Sequence, residues 1–366
     1  MNQPFLLHVV ERLESFVGKL PEKIQRPILS ELTPLKELFL RQRPPRILFA
    51  GSNRISLDEV FSIMLGTKAS EPMSLENLVW QDVSPSEQGT MSILDAREAD
   101  RNKSAGLQVE EELNRQPADV ILFLDDSESA RGPRKQDIEN LVASLKWSGN
   151  TAKVVGIAFS RERVAPIKKN LEAKKEIGDC VVVELPGQAK ELMSILAREL
   201  PNEARIEMVR ISRDKEAQHQ IAQVLVKSTT AICTAIGAQP IPLADMPVLT
   251  TLQLVMVSGI MYVSGRERSL RAATEFIGAL GANVGAGMLL REGTRAILKF
   301  FPGWGNVVCG MVAGAGTYSI GRAAIIFFIE GASLKDARKT YLASRRRPER
   351  PLLTGGAKKK RRPKAK

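Results

Sequence analysis

Histidine is nearly absent from this chain, with His8 and His219 the only two in 366 residues. A histidine-based metal site or a serine–histidine–acid triad is therefore poorly supplied. Both histidines read as solvated or locally bonded helix residues. Cysteine is scarce too: Cys180, Cys233 and Cys309 lie far apart, with no C-x-x-C pair. A disulfide framework is not expected, the odd count fits a reducing compartment, and the three read as small buried hydrophobes. Met1–Val10 has no basic start before its apolar residues, and Glu11 and Glu14 follow at once. That excludes a recognisable secretory signal and makes a cytoplasmic start the expectation.

Excess charge is missing from most of the chain as well. The net charge is +12, but Arg345–Lys366 holds eleven Lys/Arg and one Glu, which leaves +2 on the other 344 residues. The basicity belongs to a tail that has no aromatic side chain. Stacking on bases is excluded there, and only unspecific attraction to phosphate is left, on anionic lipid or on nucleic acid.

What is present divides into four zones. Residues 1–44 carry apolar residues at helical spacing (Val9, Val10, Leu13, Phe16 and Val17, then Ile28, Leu29, Leu32, Leu35, Leu38 and Phe39) and predict one or two amphipathic helices that pack on the next domain. Residues 45–202 alternate strand-like runs with helical patterns. The runs are Arg46–Ala50, Leu78–Val83, Met91–Leu94, Asp119–Leu124, Lys153–Phe159 and Cys180–Glu184. Helices are expected over Ser56–Leu65, Gln136–Trp147 and Ala189–Leu200. This alternation predicts an α/β domain, a parallel sheet with helices on both faces. Residues 203–344 lose the strand pattern and turn Gly/Ala-rich, which predicts an all-α domain. Residues 345–366 are Pro-, Lys- and Arg-rich, with no apolar core to fold around.

The first strand runs into Gly51-Ser52-Asn53-Arg54-Ile55-Ser56-Leu57-Asp58 and then a helix. Strand, loop, helix is where a P-loop protein holds phosphate. Against G-x-x-x-x-G-K-[ST], Gly51 matches. Ser56 stands for the second glycine, Leu57 for the lysine that neutralises the β- and γ-phosphates, and Asp58 for the hydroxyl that holds Mg²⁺. Leu57 brings no charge, and Asp58 would set a carboxylate against a polyphosphate. Ser56-x-x-Glu59 also fits a capping box, which would satisfy the helix amides from within the protein. Later strand ends are similar. Asp95-Ala-Arg-Glu98 has glutamate where DxxG has glycine. Phe159-Ser-Arg-Glu162 keeps only the acid of NKxD. Leu185-Pro-Gly-Gln188 lacks the Ser-Ala-Lys base loop.

In order and spacing these segments resemble the Era-like branch of small GTPases with each signature eroded. Gln239-Pro-Ile-Pro-Leu-Ala-Asp-Met-Pro247, Leu249–Gln253, Phe301-Pro-Gly-Trp-Gly305 and Ala313–Arg322 resemble a helical domain of unknown function that is often fused to Era-like GTPases in bacteria. That resemblance covers roughly residues 216–335 and implies a hydrophobic, membrane-associated module without supplying an activity.

The helical half contains three uncharged stretches, Met246–Ser264 (19 residues), Phe276–Leu290 (15) and Phe300–Gly321 (22). About 20 predominantly apolar residues are needed to span a bilayer. Thr250, Thr251, Gln253 and Asn306 make these only mildly apolar. Gly281 and Gly285, and Gly310 and Gly314, are spaced to let helix backbones touch. A soluble close-packed bundle and a membrane-attached one both remain open. Spanning segments would come in an even number, with the α/β domain and the tail on the cytoplasmic side.

The resulting expectation is a non-catalytic, GTPase-derived interaction or regulatory protein. It has no cofactor and no metal. Its partners are another protein or a second copy met through the Gly/Ala-rich helices, and an anionic inner membrane face, with nucleic acid the weaker partner. Two alternatives stand beside it. One is a working GTP-binding protein with Mg²⁺, in which Arg54 replaces the lysine and Gly51, Ser52, Asn53, Arg54, Ser56, Asp95 and Glu162 touch the nucleotide. The other is nucleic-acid binding through the tail.

Overall fold

The computed structural model describes residues 10–18 (apart from 12 and 16), 22–65, 78–86, 89–125, 132–238, 245–281 and 304–346. The α/β half contains β1 (Arg46–Gly51), α2 (Leu57–Leu65), β2 (Gln81–Ser86), β3 (Gly89–Asp95), α3 (Lys103–Arg115), β4 (Val120–Asp125), α4 (Lys135–Trp147), β5 (Lys153–Ala158), α5 (Arg161–Glu172), β6 (Val181–Glu184) and α6 (Ala189–Glu199). Helix α1 (Glu22–Phe39) precedes it. Six helices follow among the described residues: α7 (Asn202–Ser212), α8 (Lys215–Gly237), α9 (Asp245–Val263), α10 (Leu270–Gly281), α11 (Trp304–Phe328) and α12 (Leu334–Arg346). The described residues beyond 202 form no strand.

The strands form one sheet in the order β2-β3-β1-β4-β5-β6. All neighbouring pairs are parallel except β2–β3. The sheet is therefore mostly rather than wholly parallel. β2 is also displaced from the expected 78–83. Leu78 sits in a turn at φ 67°, so the strand starts only at Gln81.

The apolar runs are covered on both sides, as strands without polar alternation require. On one face Phe49, Ile93, Leu122 and Ile157 pack with α2, α6 and α7. On the other, Leu48, Leu94, Phe123 and Val154 pack with α3, α4 and α5. Phe49 meets Phe61 of α2 edge-on, with centroids 5.5 Å apart and planes at 71°, an arrangement worth about 0.5–1.5 kcal/mol beyond burial. Helix α7 falls where an all-α stretch is expected, whereas α3 and α5 are not announced by the sequence: both are rich in charged residues, and α5 buries only Ile167 and Leu171 around Pro166.

The first face continues without a break into the helical half. The same buried cluster contains Ile206 and Val209 of α7, Leu225 of α8, Ile260 of α9 and Ile325 of α11. Helix α1 lies on α7 and α8 and buries Ile28, Leu32, Leu38 and Phe39. A polar knot ties these elements together. The Tyr262 ring is held between two guanidinium groups, Arg210 at 3.7 Å and Arg268 at 4.0 Å from its centroid. Its hydroxyl donates to Glu207 at 2.8 Å, while Gln42 bonds both Glu207 and Arg268. Burial, and then the Glu207 carboxylate, push the tyrosine pKa up. Arg210 also donates to the Tyr262 carbonyl at 2.7 Å. It thereby closes the C-terminus of α9, where cations complement the exposed carbonyls.

Within the bundle α11 packs on α8, α9 and α12. The expected close approach is present at one of the two glycine pairs. A Cβ on Gly310 would lie 2.8 Å from the Thr234 carbonyl oxygen, and one on Gly314 would lie 2.1 Å from Thr234 Oγ1. Gly281 meets nothing within 4 Å, and Gly285 lies outside the described residues. Gln253 of α9 donates to Thr317 of α11 at 2.9 Å, which gives the amide side chain a partner inside the bundle. Cys180 and Cys233 are buried free thiols. Burial pushes the Cys233 thiol up to about 12. His219 bonds Glu330 at 3.0 Å. His8 and residues 239–244 lie outside the described residues.

Candidate functional site

The loop between β1 and α2 sits at the carboxyl edge of the parallel strands, where open α/β sheets bind their ligands. Gly51 ends β1 at φ 95°. A Cβ there would come within 2.2 Å of the Leu124 carbonyl oxygen of β4. Only glycine takes that conformation against that neighbour without strain. The Ser52 amide donates to the same carbonyl at 2.9 Å, so the first amide that could turn toward an anion is bonded to the sheet.

Two of the following amides are engaged as well. Ser52 Oγ accepts from the Arg54 amide at 3.3 Å. Ser56 Oγ accepts from the Asp58 amide at 3.2 Å. The cap expected from Ser56 is therefore present but closes on Asp58, one residue earlier than the capping-box partner Glu59.

The centre of the site is a residue that no motif flagged. Arg97, two residues past the end of β3, folds under the loop with its side chain 8% exposed. It grips Asp95 with two bonds, Nε to Oδ1 at 2.8 Å and Nη2 to Oδ2 at 2.7 Å. Its Nη1 donates to the Ile55 carbonyl at 2.6 Å and makes a longer contact of 3.5 Å with the Ser52 carbonyl. A phosphate-binding loop turns amide N–H groups inward. This loop turns carbonyl oxygens inward, onto a guanidinium that the protein itself supplies. Its local polarity suits a cation that is already in place.

A second buried ion pair lies along the same edge. Asp125, at the end of β4 and 2% exposed, pairs with Arg163 of α5. Glu162, where NKxD keeps its acid, is exposed on the first turn of α5, and Ser160 is exposed at the helix start. Past β6, Gln188 folds back to accept the Glu184 amide at 2.9 Å and donates to Glu191 at 2.7 Å.

Of the sequence-predicted site residues, Gly51, Ser52 and Asp95 are brought together around Arg97. Asn53 is exposed but reaches Glu98, its Nδ2 donating at 3.1 Å. Arg54 and Ser56 face solvent. Glu162 stands apart on α5. Arg97 and Asp125 were missed; the visible part of the signal is an acid ending a buried strand, while the arginine that pairs with it is fixed by the tertiary fold, 38 residues away for Asp125. Among the described residues no group of three or more His, Cys, Asp or Glu side chains could hold a metal ion. A shallow cleft of about 390 Å³ lies between α4 and the end of α5, against Lys146 and Trp147. None of the loop residues lines it.

The six-stranded, mostly parallel sheet with flanking helices and a helical C-terminal region is a mixed α/β fold. No family model matches the chain. Magnetosome membrane protein 22 of Magnetospirillum gryphiswaldense is 27% identical over 139 residues, which is 35% of this chain and 70% of that protein. A crystal structure of Era with MgGDPNP and a segment of 16S ribosomal RNA aligns with a TM-score of 0.31 at 17% identity, over 52% of this chain and 68% of that one.

Proposed function

We propose that this chain is a non-catalytic, GTPase-derived interaction or regulatory protein whose helical half associates with a membrane. One observation carries the first part: the β1–α2 loop aims the Ile55 carbonyl at Arg97, 2.6 Å away, and Arg97 occupies both oxygens of Asp95. A nucleotide would have to displace a bidentate guanidinium, reverse the loop's polarity and find another source of positive charge. Asp95 is not available to Mg²⁺ while Arg97 holds it. Arg54, the alternative cation, is exposed. Titration with labelled GTP and ATP in the presence of Mg²⁺ is expected to show no saturable binding. Micromolar affinity with turnover would overturn the proposal.

The membrane part is supported by the name of the magnetosome relative and by α11, whose segment Gly310–Phe328 has a mean hydropathy of 1.3. Attachment at the surface is favoured over crossing. That segment is 56% buried within the protein, and its neighbour α8 carries exposed Gln223 and Lys227. A crossing would take those polar groups into hydrocarbon, where charges are costly. On fractionation of cells expressing the full chain, the protein is expected in the membrane pellet and is released by high salt. Recovery wholly in the cytosol would remove the membrane part and leave the non-catalytic part standing.

A further inference from the structure

Most large apolar side chains in the helical half are buried, and α12 breaks that pattern twice in thirteen residues. Leu334 is 40% exposed and Leu342 is 39% exposed. The inward stripe of the helix is already satisfied by Ala337 and Tyr341, which pack on the bundle. At 3.6 residues per turn Leu342 stands about 100° from Tyr341, clear of that stripe, whereas Leu334 stands about 20° from Tyr341 and borders it. Between them on the outward arc stand Lys335 and Lys339, both exposed, and Arg338, half-exposed. With 3.6 residues per turn these five positions span roughly 140° of the helix surface. The acid of this helix, Asp336, lies off the arc and bonds Ser333, whose Oγ in turn accepts the Asp336 amide at 3.2 Å and starts the helix. The outward arc of α12 is basic and apolar and contains no carboxylate.

We propose that this arc is the membrane-docking surface of the protein and that its occupant is an anionic lipid bilayer. The inference rests on the membrane association proposed above and specifies where it occurs. Cations flanking leucines on one helix face are what an interfacial helix needs, because the leucines enter the acyl boundary while the lysines stay among anionic headgroups. The sequence extends the same charge beyond the helix: residues 347–366 carry nine Lys/Arg against one Glu. Basic residues near an anionic surface add their attraction within a Debye length. A duplex would use the lysines, but it offers nothing to two exposed leucines, and the tail has no aromatic residue to stack on bases. Lipid is therefore the favoured occupant. On this surface α11 stays packed inside the bundle and crosses nothing.

The test is flotation of the full chain with vesicles of phosphatidylcholine containing phosphatidylserine, against pure phosphatidylcholine. The intact chain should float with the anionic vesicles only, and high salt should release it. The pair Leu334→Ser and Leu342→Ser, which leaves every charge in place, should lower partitioning about tenfold or more, from the apolar area lost to the bilayer. Lys335→Glu with Lys339→Glu should do the same or more. An unchanged thermal transition in both variants confirms that the fold is intact. If the leucine pair floats like the unaltered chain, the tail acts alone and the α12 surface is refuted. Equal, salt-resistant flotation with both vesicle types refutes this surface but leaves membrane association standing. If no vesicle type is bound, both fail. Salt-sensitive binding to duplex DNA without vesicle binding would assign the charge to nucleic acid.

Discussion

Replacing Arg97 with leucine should lower the stability of the α/β half by about 3–5 kcal/mol, the usual cost of removing one partner of a buried ion pair, and should still leave nucleotide unbound. The side chains of Arg97 and Asp95 are 8% and 10% exposed, so solvent does little to screen the carboxylate that remains. The loss goes beyond the pair. The Ile55 carbonyl loses its donor at 2.6 Å, and a buried acceptor left unsatisfied costs about 1–3 kcal/mol on its own. Urea unfolding reads the change as a lower midpoint at unchanged slope. Adding Asp95→Leu to Arg97→Leu should recover much of the loss, because the charge that could not be compensated is gone. A single-variant cost under about 1 kcal/mol would mean that the pair is relaxed by water and that the loop is not held by it. If Arg97→Leu instead gained GTP affinity, the arginine would be a plug in a competent loop. That outcome is not expected. Leu57 still stands where a phosphate-neutralising lysine is needed, and Ser52 and Arg54 still use their amides within the protein.

The contrast between the sheet and its loop shows what a sequence exposes. Ile47, Leu48 and Phe49 are each fully buried. A strand apolar on both faces can only be interior, so β1, β4 and β5 were legible from local composition alone. The missing lysine was legible in the same way, because an absence at a fixed spacing needs no tertiary information. The residue that replaces it was not. Arg97 acts through backbone oxygens of Ser52 and Ile55, more than forty positions away, and nothing in Asp95-Ala-Arg-Glu98 says which way the side chain turns. Ser56 illustrates the intermediate case. Its capping role followed from residue type, while its partner, Asp58 instead of Glu59, was decided by how the loop enters α2. The helical half divides along the same line. The Gly310/Gly314 spacing pointed to a close helix contact and found one against Thr234, whereas Gly281 stands in open space.

That contact supports the second large effect. Gly310→Leu combined with Gly314→Leu should separate α11 from α8 and destabilise the helical half by about 3 kcal/mol or more, since overpacking a single site costs about 1–3 kcal/mol. A Cβ at Gly310 would face the Thr234 carbonyl at 2.8 Å and the Ala238 Cβ at 2.9 Å. The carbonyl belongs to helix backbone and cannot rotate aside. The Thr234 hydroxyl, 2.1 Å from a Cβ at Gly314, is already committed to the Thr230 carbonyl at 2.7 Å, so moving it breaks a bond. The control lies in the same helix. A methyl group added at Gly316 would meet nothing within 4 Å, so Gly316→Ala should be neutral or stabilising by up to about 1 kcal/mol through helix propensity. Hydrogen exchange separates the outcomes. In the double leucine variant, amides of α8 and α11 should lose protection, while β4, paired on both sides by β1 and β5, should lose much less. If the double variant matched the Gly316→Ala control, α8 and α11 would not be held by backbone contact, and the bundle would have to be kept together by its apolar side chains and the Gln253–Thr317 bond.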